Sequence, residues 1–344
     1  MVRLAARTLE TINAARFTAT AGNQGDADMS TIHLVDPAAR PIAASLKAFD
    51  PEHESLDAFR AQSRATYAQI SPPMPEAREE HLIAGSPAVR VLVYRPRQPG
   101  PPSAAIVYLH GGGFITGEAE IADATCVRLA QENNAVVVNV DYRLAPEAPF
   151  PGPVEDCYTA LTWTLSQATS FGFDPSRVVV MGHSAGGGLA AATALLHRDR
   201  GGAPLAGQVL IYPMLDARTG TADAPVDNPT AGEFVWTRPI NRFAWRAMRG
   251  AAPLPSGREG HYSPSLASDL KSLPPTFLAV GSLDLFMDED VDYALRLSRA
   301  GVPVEMHVYA GGVHGFDLFP GNTTDRFSAD LRSALGRFLA KEST

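Results

Sequence analysis

Val178-Val179-Val180-Met181-Gly182-His183-Ser184-Ala185-Gly186-Gly187-Gly188 runs an apolar strand directly into a small-residue helix, with one serine at the corner inside G-x-S-x-G. A turn this sharp forces its middle residue into a strained backbone conformation and leaves no room for side chains on either flank. Gly182 and Gly186 meet that steric demand. Ser184 Oγ is thereby predicted at the carboxyl end of a buried strand, with the first N–H groups of the next helix directed at any anion formed there. The chain holds 29 glycines, so the bare pattern says little. The strand before it and the helix after it are what give it weight.

The same rhythm extends outward on both sides. Strand-like runs occur at Val89–Tyr94, Ala104–His110, Ala135–Val140, Val178–Gly182, Gly207–Tyr212, Thr276–Gly281 and Val304–Tyr309, several nearly continuous in Val, Ile, Leu and Ala. Helical patterning separates them, at Ile121–Asn134, Val154–Thr169, Ser184–Arg200, Asp288–Ala300 and Arg326–Lys341. This predicts an α/β fold with a mostly parallel central sheet flanked by helices, over residues 81–344. Two regions break the pattern. Residues 29–80 carry a helical pattern, Leu56–Ile70, before any strand, and 213–270 is rich in Pro, Gly and aromatic residues without strand signal. Both read as cap segments, the second an insertion at the sheet end where the site is expected. Phe234, Trp236, Phe243 and Trp245 in the insertion are either a satellite core or a pocket wall.

Composition narrows the function classes. With 344 residues, 45% of them hydrophobic and 19% charged, the chain is globular rather than disordered or fibrous. No apolar run approaches the ~18–20 residues of a membrane span, so no stable membrane insertion and a cytoplasmic location are expected. The net charge of -8 is spread without a Lys/Arg cluster, which argues against nucleic acid as a partner. Cys126 and Cys157 read as structural thiols, and no metal-ligand spacing occurs. Residues 1–28, with Arg3, Arg7 and Arg16 but no continuous apolar stretch, read as a non-native or disordered extension ahead of a start at Met29.

A serine nucleophile needs a base, and the base needs a group that fixes its tautomer. His314, in Gly311-Gly312-Val313-His314-Gly315-Phe316, follows the last strand, and Asp284 follows Thr276–Gly281. The order Ser184, Asp284, His314 is that of the α/β-hydrolase fold. Asp288 and Asp290 compete for the acid role, but they open a helix, where carboxylates are expected for capping alone. The oxyanion also needs donors. His110-Gly111-Gly112-Gly113-Phe114 follows the strand Ala104–Leu109, and its glycines allow backbone N–H groups to point into a cavity. Gly112, Gly113 and Ala185 are the candidate donors, with His110 and Gly111 completing the loop. Phe114, Phe234, Trp236, Phe286 and Phe316 are the candidate lining of a substrate pocket.

His110–Phe114, Asp141-Tyr142-Arg143-Leu144-Ala145-Pro146-Glu147, Gly182–Gly187, Asp284 and His314-Gly315-Phe316 together resemble the hormone-sensitive-lipase-like esterases, bacterial lipolytic family IV, over roughly residues 80–340. The resemblance implies a serine hydrolase of short to medium acyl esters, working without metal or cofactor on a small-molecule ester. It also implies a cap built from the N-terminal region and the insertion, a structural role for Arg143 and Glu147, and a homodimer in some members. One residue departs from the family pattern: His183 stands before the serine where Asp or Thr is usual. Adjacent residues on a tight turn point apart, so His183 is read as packing beside the site rather than as the base. The G-H-S-x-G elbow with a Gly-rich loop is also similar to arylformamidases. An amidase or lactonase with the same triad, and a ligand receptor without catalysis, are the other readings.

Overall fold

The computed structural model describes residues 30–46, 48–97 and 102–340, so the reading of 1–28 lies outside the described residues. Eight strands, β1 Glu79–Ile83, β2 Val89–Tyr94, β3 Ala104–Leu109, β4 Ala135–Asp141, β5 Val178–His183, β6 Gly207–Ile211, β7 Thr276–Gly281 and β8 Val304–Tyr309, form one sheet. Their order is β1-β2-β4-β3-β5-β6-β7-β8. β1 and β2 pair antiparallel, as do β2 and β4, and all other neighbours are parallel. The helices are α1 Arg40–Ser45, α2 Leu56–Ile70, α3 Asp123–Asn133, α4 Gly152–Ser166, α5 Ala168–Phe171, α6 Ala185–Asp199, α7 Arg238–Arg249, α8 Glu259–Tyr262, α9 Met287–Arg299 and α10 Asn322–Phe338.

The period-2 alternation of the central strands divides the core into two layers. Val178 and Val180 of β5 point to the layer that holds Leu161 and Leu189 of α4 and α6. Val179 and Met181 point to the other, with Leu129 of α3 and Leu331 of α10. Each such Val or Leu removed from water stabilises the fold by roughly 1.5–3 kcal/mol, which is why these strands read as unbroken apolar runs. Cys126 and Cys157 are free buried thiols in opposite layers. β1 is the one strand of the eight that the sequence does not signal. It is an edge strand, Glu-Glu-His-Leu-Ile, with Glu79, Glu80 and Leu82 exposed, so it carries no apolar signature.

Register places the site. Leu109 lies opposite Gly182, and His183 opposite Ile211, so the loops that leave β3, β5 and β6 emerge side by side. The two irregular segments settle over these loops. Phe49 stacks on Phe59 of α2 at 4.3 Å and meets Phe243 of α7 edge-on at 5.9 Å. Arg60 of α2 donates to the carbonyls of Ile115 at 2.7 Å and Ala145 at 3.0 Å, and grips both carboxylate oxygens of Glu147 at 2.7 and 2.8 Å. Glu233 of the insertion accepts from the hydroxyls of Ser30 and Thr31 and from Thr31 N, each at 2.6 Å. Among the described residues no helix is long and apolar enough to cross a membrane.

Candidate active site

Ser184 sits between β5 and α6 at φ 56°, ψ -121°, a conformation that a residue with a Cβ adopts only under constraint. The constraint is visible. Ser184 N donates to Ile211 O at 2.9 Å, and Ser184 O accepts from Gly188 N and Met214 N, both at 3.0 Å. A Cβ on Gly186 would lie 2.1 Å from Leu109 O and 2.4 Å from His110 O, and one on Gly182 would lie 2.2 Å from Gly186 O. The contacted atoms are backbone and cannot swing aside. Gly186→Ala is therefore expected to lower unfolding free energy by about 3 kcal/mol, measured in urea. A loss indistinguishable from zero would mean that the elbow does not pack against β3 as described.

Ser184 Oγ lies 2.9 Å from His314 Nε2, and His314 Nδ1 lies 2.8 Å from Asp284 Oδ2. The second oxygen of Asp284 accepts from Phe286 N at 3.0 Å, which fixes the carboxyl plane. Asp284 is fully buried, and Ser184 and His314 are each only 6% exposed, so these bonds form out of reach of bulk water. The structure thus brings together the three residues that the sequence placed at separate strand ends.

Asp288 and Asp290, the competitors for the acid position, point elsewhere. Asp288 accepts from Asn228 Nδ2 at 2.9 Å. Asp290 is fully buried, and neither of its side-chain oxygens has a hydrogen-bond partner among the described residues. Burial, reinforced by Glu289 and Asp284, pushes its carboxyl well above the usual range. Asp290 is then protonated when folded and ionised when unfolded above about pH 4. The native state binds the extra proton, so stability declines as pH rises from there toward the raised folded value, by at most about 1.4 kcal/mol per pH unit. Glu289, raised first by burial, adds a slope of the same sign. Asp290→Asn is expected to make urea stability visibly less pH-dependent between pH 5 and 8. An unchanged slope would show that Asp290 is ionised when folded.

Beside the serine runs the loop 110–114. Gly112, Gly113 and Phe114 all have positive φ, at 125°, 61° and 65°. Ile115 N and Thr116 N donate to Gly112 O at 3.1 and 2.9 Å and close the loop into a tight turn. A Cβ on Gly111 would come within 3.6 Å of Ser184 Cβ, which measures how near the loop passes. Ala185 opens α6 on the other side of the serine. His110 stacks on Tyr142 at 4.2 Å and bonds Gly111 O through Nδ1 at 2.7 Å; burial lowers its pKa and keeps it a neutral anchor.

The candidate pocket residues divide. The rim of the Trp236 ring presses on the loop, where a Cβ on Gly113 would meet its Cη2 at 2.0 Å, and its ring centre is 6.1 Å from that of His314. Its indole N–H donates to Asn241 Oδ1 at 3.0 Å. Phe286 meets His314 edge-on at 5.2 Å, and Phe114 meets Trp245 at 5.1 Å. Phe234 packs instead against the N-terminal segment, with Val35, Ala39 and Leu283. Phe316 is drawn into the second core layer against Tyr309 and Phe327 at 5.1 and 5.3 Å. His183 turns away from the serine and bonds Tyr108. Absent from the sequence reading is Tyr212, immediately after β6, whose ring lies 4.8 Å from that of His314. Its position at a strand carboxyl end was the available signal.

A protein family described by the α/β-hydrolase fold matches residues 106–318. Esterase LipI of Mycobacterium tuberculosis is 35% identical over 284 residues, covering 78% of this chain and 83% of that protein. An ethyl acetate hydrolase of Pseudomonas putida is 35% identical over 231 residues, covering 66% of this chain and 70% of that one. Among solved structures, a bacterial heroin esterase superposes with a TM-score of 0.81 at 37% identity, over 91% of this chain and 100% of that one. Sheet order, elbow and likeness over most of the chain agree, and the chain belongs to the hormone-sensitive-lipase-like esterases of the α/β-hydrolase fold.

Proposed function

We propose that this protein hydrolyses short to medium acyl esters through a covalent acyl-enzyme. Ser184 Oγ attacks the ester carbonyl while His314 Nε2 takes its proton. The oxyanion meets the N–H groups of Gly112, Gly113 and Ala185, each worth about 2.7–4 kcal/mol of transition-state stabilisation. His314 then returns the proton to the leaving alkoxide, the alcohol departs, and the acyl group stays on Ser184. Water, deprotonated by His314, attacks that ester, and collapse releases the acid and restores the serine hydroxyl. Asp284 holds His314 with Nδ1 protonated and stabilises the imidazolium formed in both halves.

The observation that carries this reading is the unbroken pair of contacts from Ser184 through His314 to Asp284, at 2.9 and 2.8 Å. In this reading segments 29–80 and 213–270 form the cap, and Trp236, Phe286 and Phe114 wall the pocket beneath it. A panel of p-nitrophenyl esters, lactones and N-formyl aryl amides tests the assignment. Turnover of acetate and butyrate esters is expected, together with labelling of Ser184 by a fluorophosphonate. Preferred cleavage of the amide or lactone would reassign the bond class, and absence of both turnover and labelling in folded protein would leave a binding role.

Trp236 offers a sharper test. Its rim abuts Gly113 and its ring approaches His314, so it limits the space available to an acyl chain. Trp236→Ala is expected to raise the octanoate-to-acetate ratio of kcat/KM by about tenfold, in line with the 1–3 kcal/mol by which a methylene is discriminated. An unchanged ratio would remove Trp236 from the pocket.

A further inference from the structure

His314 is fixed along one line by Ser184 and Asp284, but two hydrogen bonds to opposite ring atoms leave the ring free to tilt about that line. What sets the tilt is the packing around it, and Tyr212 is the nearest ring, at 4.8 Å and 64°. Tyr212 occupies a singular place. Its neighbours in the chain hold the nucleophile: Ile211 O accepts from Ser184 N, and Met214 N donates to Ser184 O. Its own N–H donates to Ala279 O at 2.6 Å, and its φ of 35° is rare for a residue with an aromatic side chain. Its phenol donates to Asp317 Oδ1 at 2.6 Å, and Asp317 lies on the same loop as His314. One residue therefore ties the backbone that presents the nucleophile to the loop that presents the base.

Asp317 is held in turn. His183 Nε2 stands 3.6 Å from Asp317 Oδ2, and His183 Nδ1 lies 3.0 Å from the Tyr108 hydroxyl. Burial lowers the pKa of His183 and raises that of Tyr212, so the imidazole is neutral and the phenol keeps its proton. Where Tyr108 donates to Nδ1, the neutral ring carries its proton on Nε2, the nitrogen nearer Asp317. Asp317 is thus hydrogen-bonded to the Tyr212 phenol, with the His183 ring standing beside its other oxygen.

We propose that Tyr212 and Asp317 are positioning residues for His314, with His183 and Tyr108 holding Asp317 in place. This gives the atypical elbow residue a purpose: an imidazole at 183 can face the Asp317 carboxyl, whereas a carboxylate there would stand against it as a like charge. The inference rests on the proposed ester hydrolysis. Its test uses Tyr212→Phe, which removes only the hydroxyl, Asp317→Ala, which removes the acceptor, and Asp317→Asn, which keeps an oxygen for the phenol. Tyr212→Phe and Asp317→Ala are expected to lower kcat for p-nitrophenyl acetate about tenfold, with KM within about twofold, and to slow fluorophosphonate labelling of Ser184 by the same factor. Asp317→Asn is expected to recover most of the rate. Full kcat in Tyr212→Phe would overturn the proposal, as would an Asp317→Asn variant as slow as Asp317→Ala. A change confined to KM or to melting temperature would equally overturn it, since a purely structural role predicts that pattern. If wild-type protein neither turns over esters nor labels, the ester-hydrolase reading is what fails.

Discussion

Replacing Ser184 by alanine is expected to reduce kcat on short-chain p-nitrophenyl esters by about 10⁴- to 10⁶-fold and to abolish fluorophosphonate labelling. The fold should survive. Alanine keeps the Cβ that the strained corner already accommodates, and the three backbone bonds that pin the residue do not involve its side chain. What is lost is Oγ and its 2.9 Å contact with His314 Nε2, a single hydrogen bond of about 1 kcal/mol net. Urea unfolding should therefore move little while turnover disappears. Residual turnover near the wild-type level would show that another group attacks the carbonyl.

Asp284→Asn carries the second large effect, about 10⁴-fold in kcat with KM little changed. The reason lies in the two partners of the carboxyl. Phe286 N needs an acceptor at 3.0 Å, so the amide oxygen of asparagine turns toward it, and the NH₂ faces His314 Nδ1. An NH₂ donor there forces Nδ1 to accept and moves the ring proton to Nε2, where it blocks uptake of the serine proton. Asp288→Asn should leave the rate near wild type, because Asp288 bonds Asn228 and not His314. If Asp288→Asn were the damaging change, the acid would be misassigned.

How far the sequence foretold this arrangement depended on whether each feature was local. β3 and β5 are covered on both faces, so Ala104–Leu109 and Val178–Val180 read as unbroken apolar runs. The elbow was legible because its glycines answer steric contacts with backbone a few residues away or on the adjoining strand. Ser184, Asp284 and His314 each follow a strand, and strand ends can be located from composition. β1 could not be, since an edge strand needs no apolar alternation. The surroundings of His314 were hidden for another reason. Tyr212 and Asp317 are 105 residues apart, and nothing near either shows that they bond. Phe316 stands two residues after His314 in the chain, yet its ring turns toward Tyr309 and Phe327 rather than lining the pocket. Phe234 likewise packs against the cluster that holds Val35 and Ala39, because the N-terminal segment comes back across the insertion.

That return crossing decides which parts of the molecule can be exchanged. Glu233 accepts three hydrogen bonds from Ser30 and Thr31, residues 203 and 202 positions away. Asp36 fastens the same N-terminal stretch to the His314 loop, through Gly311 O and the Thr323 hydroxyl. A chimera that takes only residues 213–270 from a relative would strand Ser30 and Thr31 against a foreign surface and pull on the loop that carries the base. The two segments are joined as one unit despite their distance in the chain, and a graft meant to alter which esters enter must carry both.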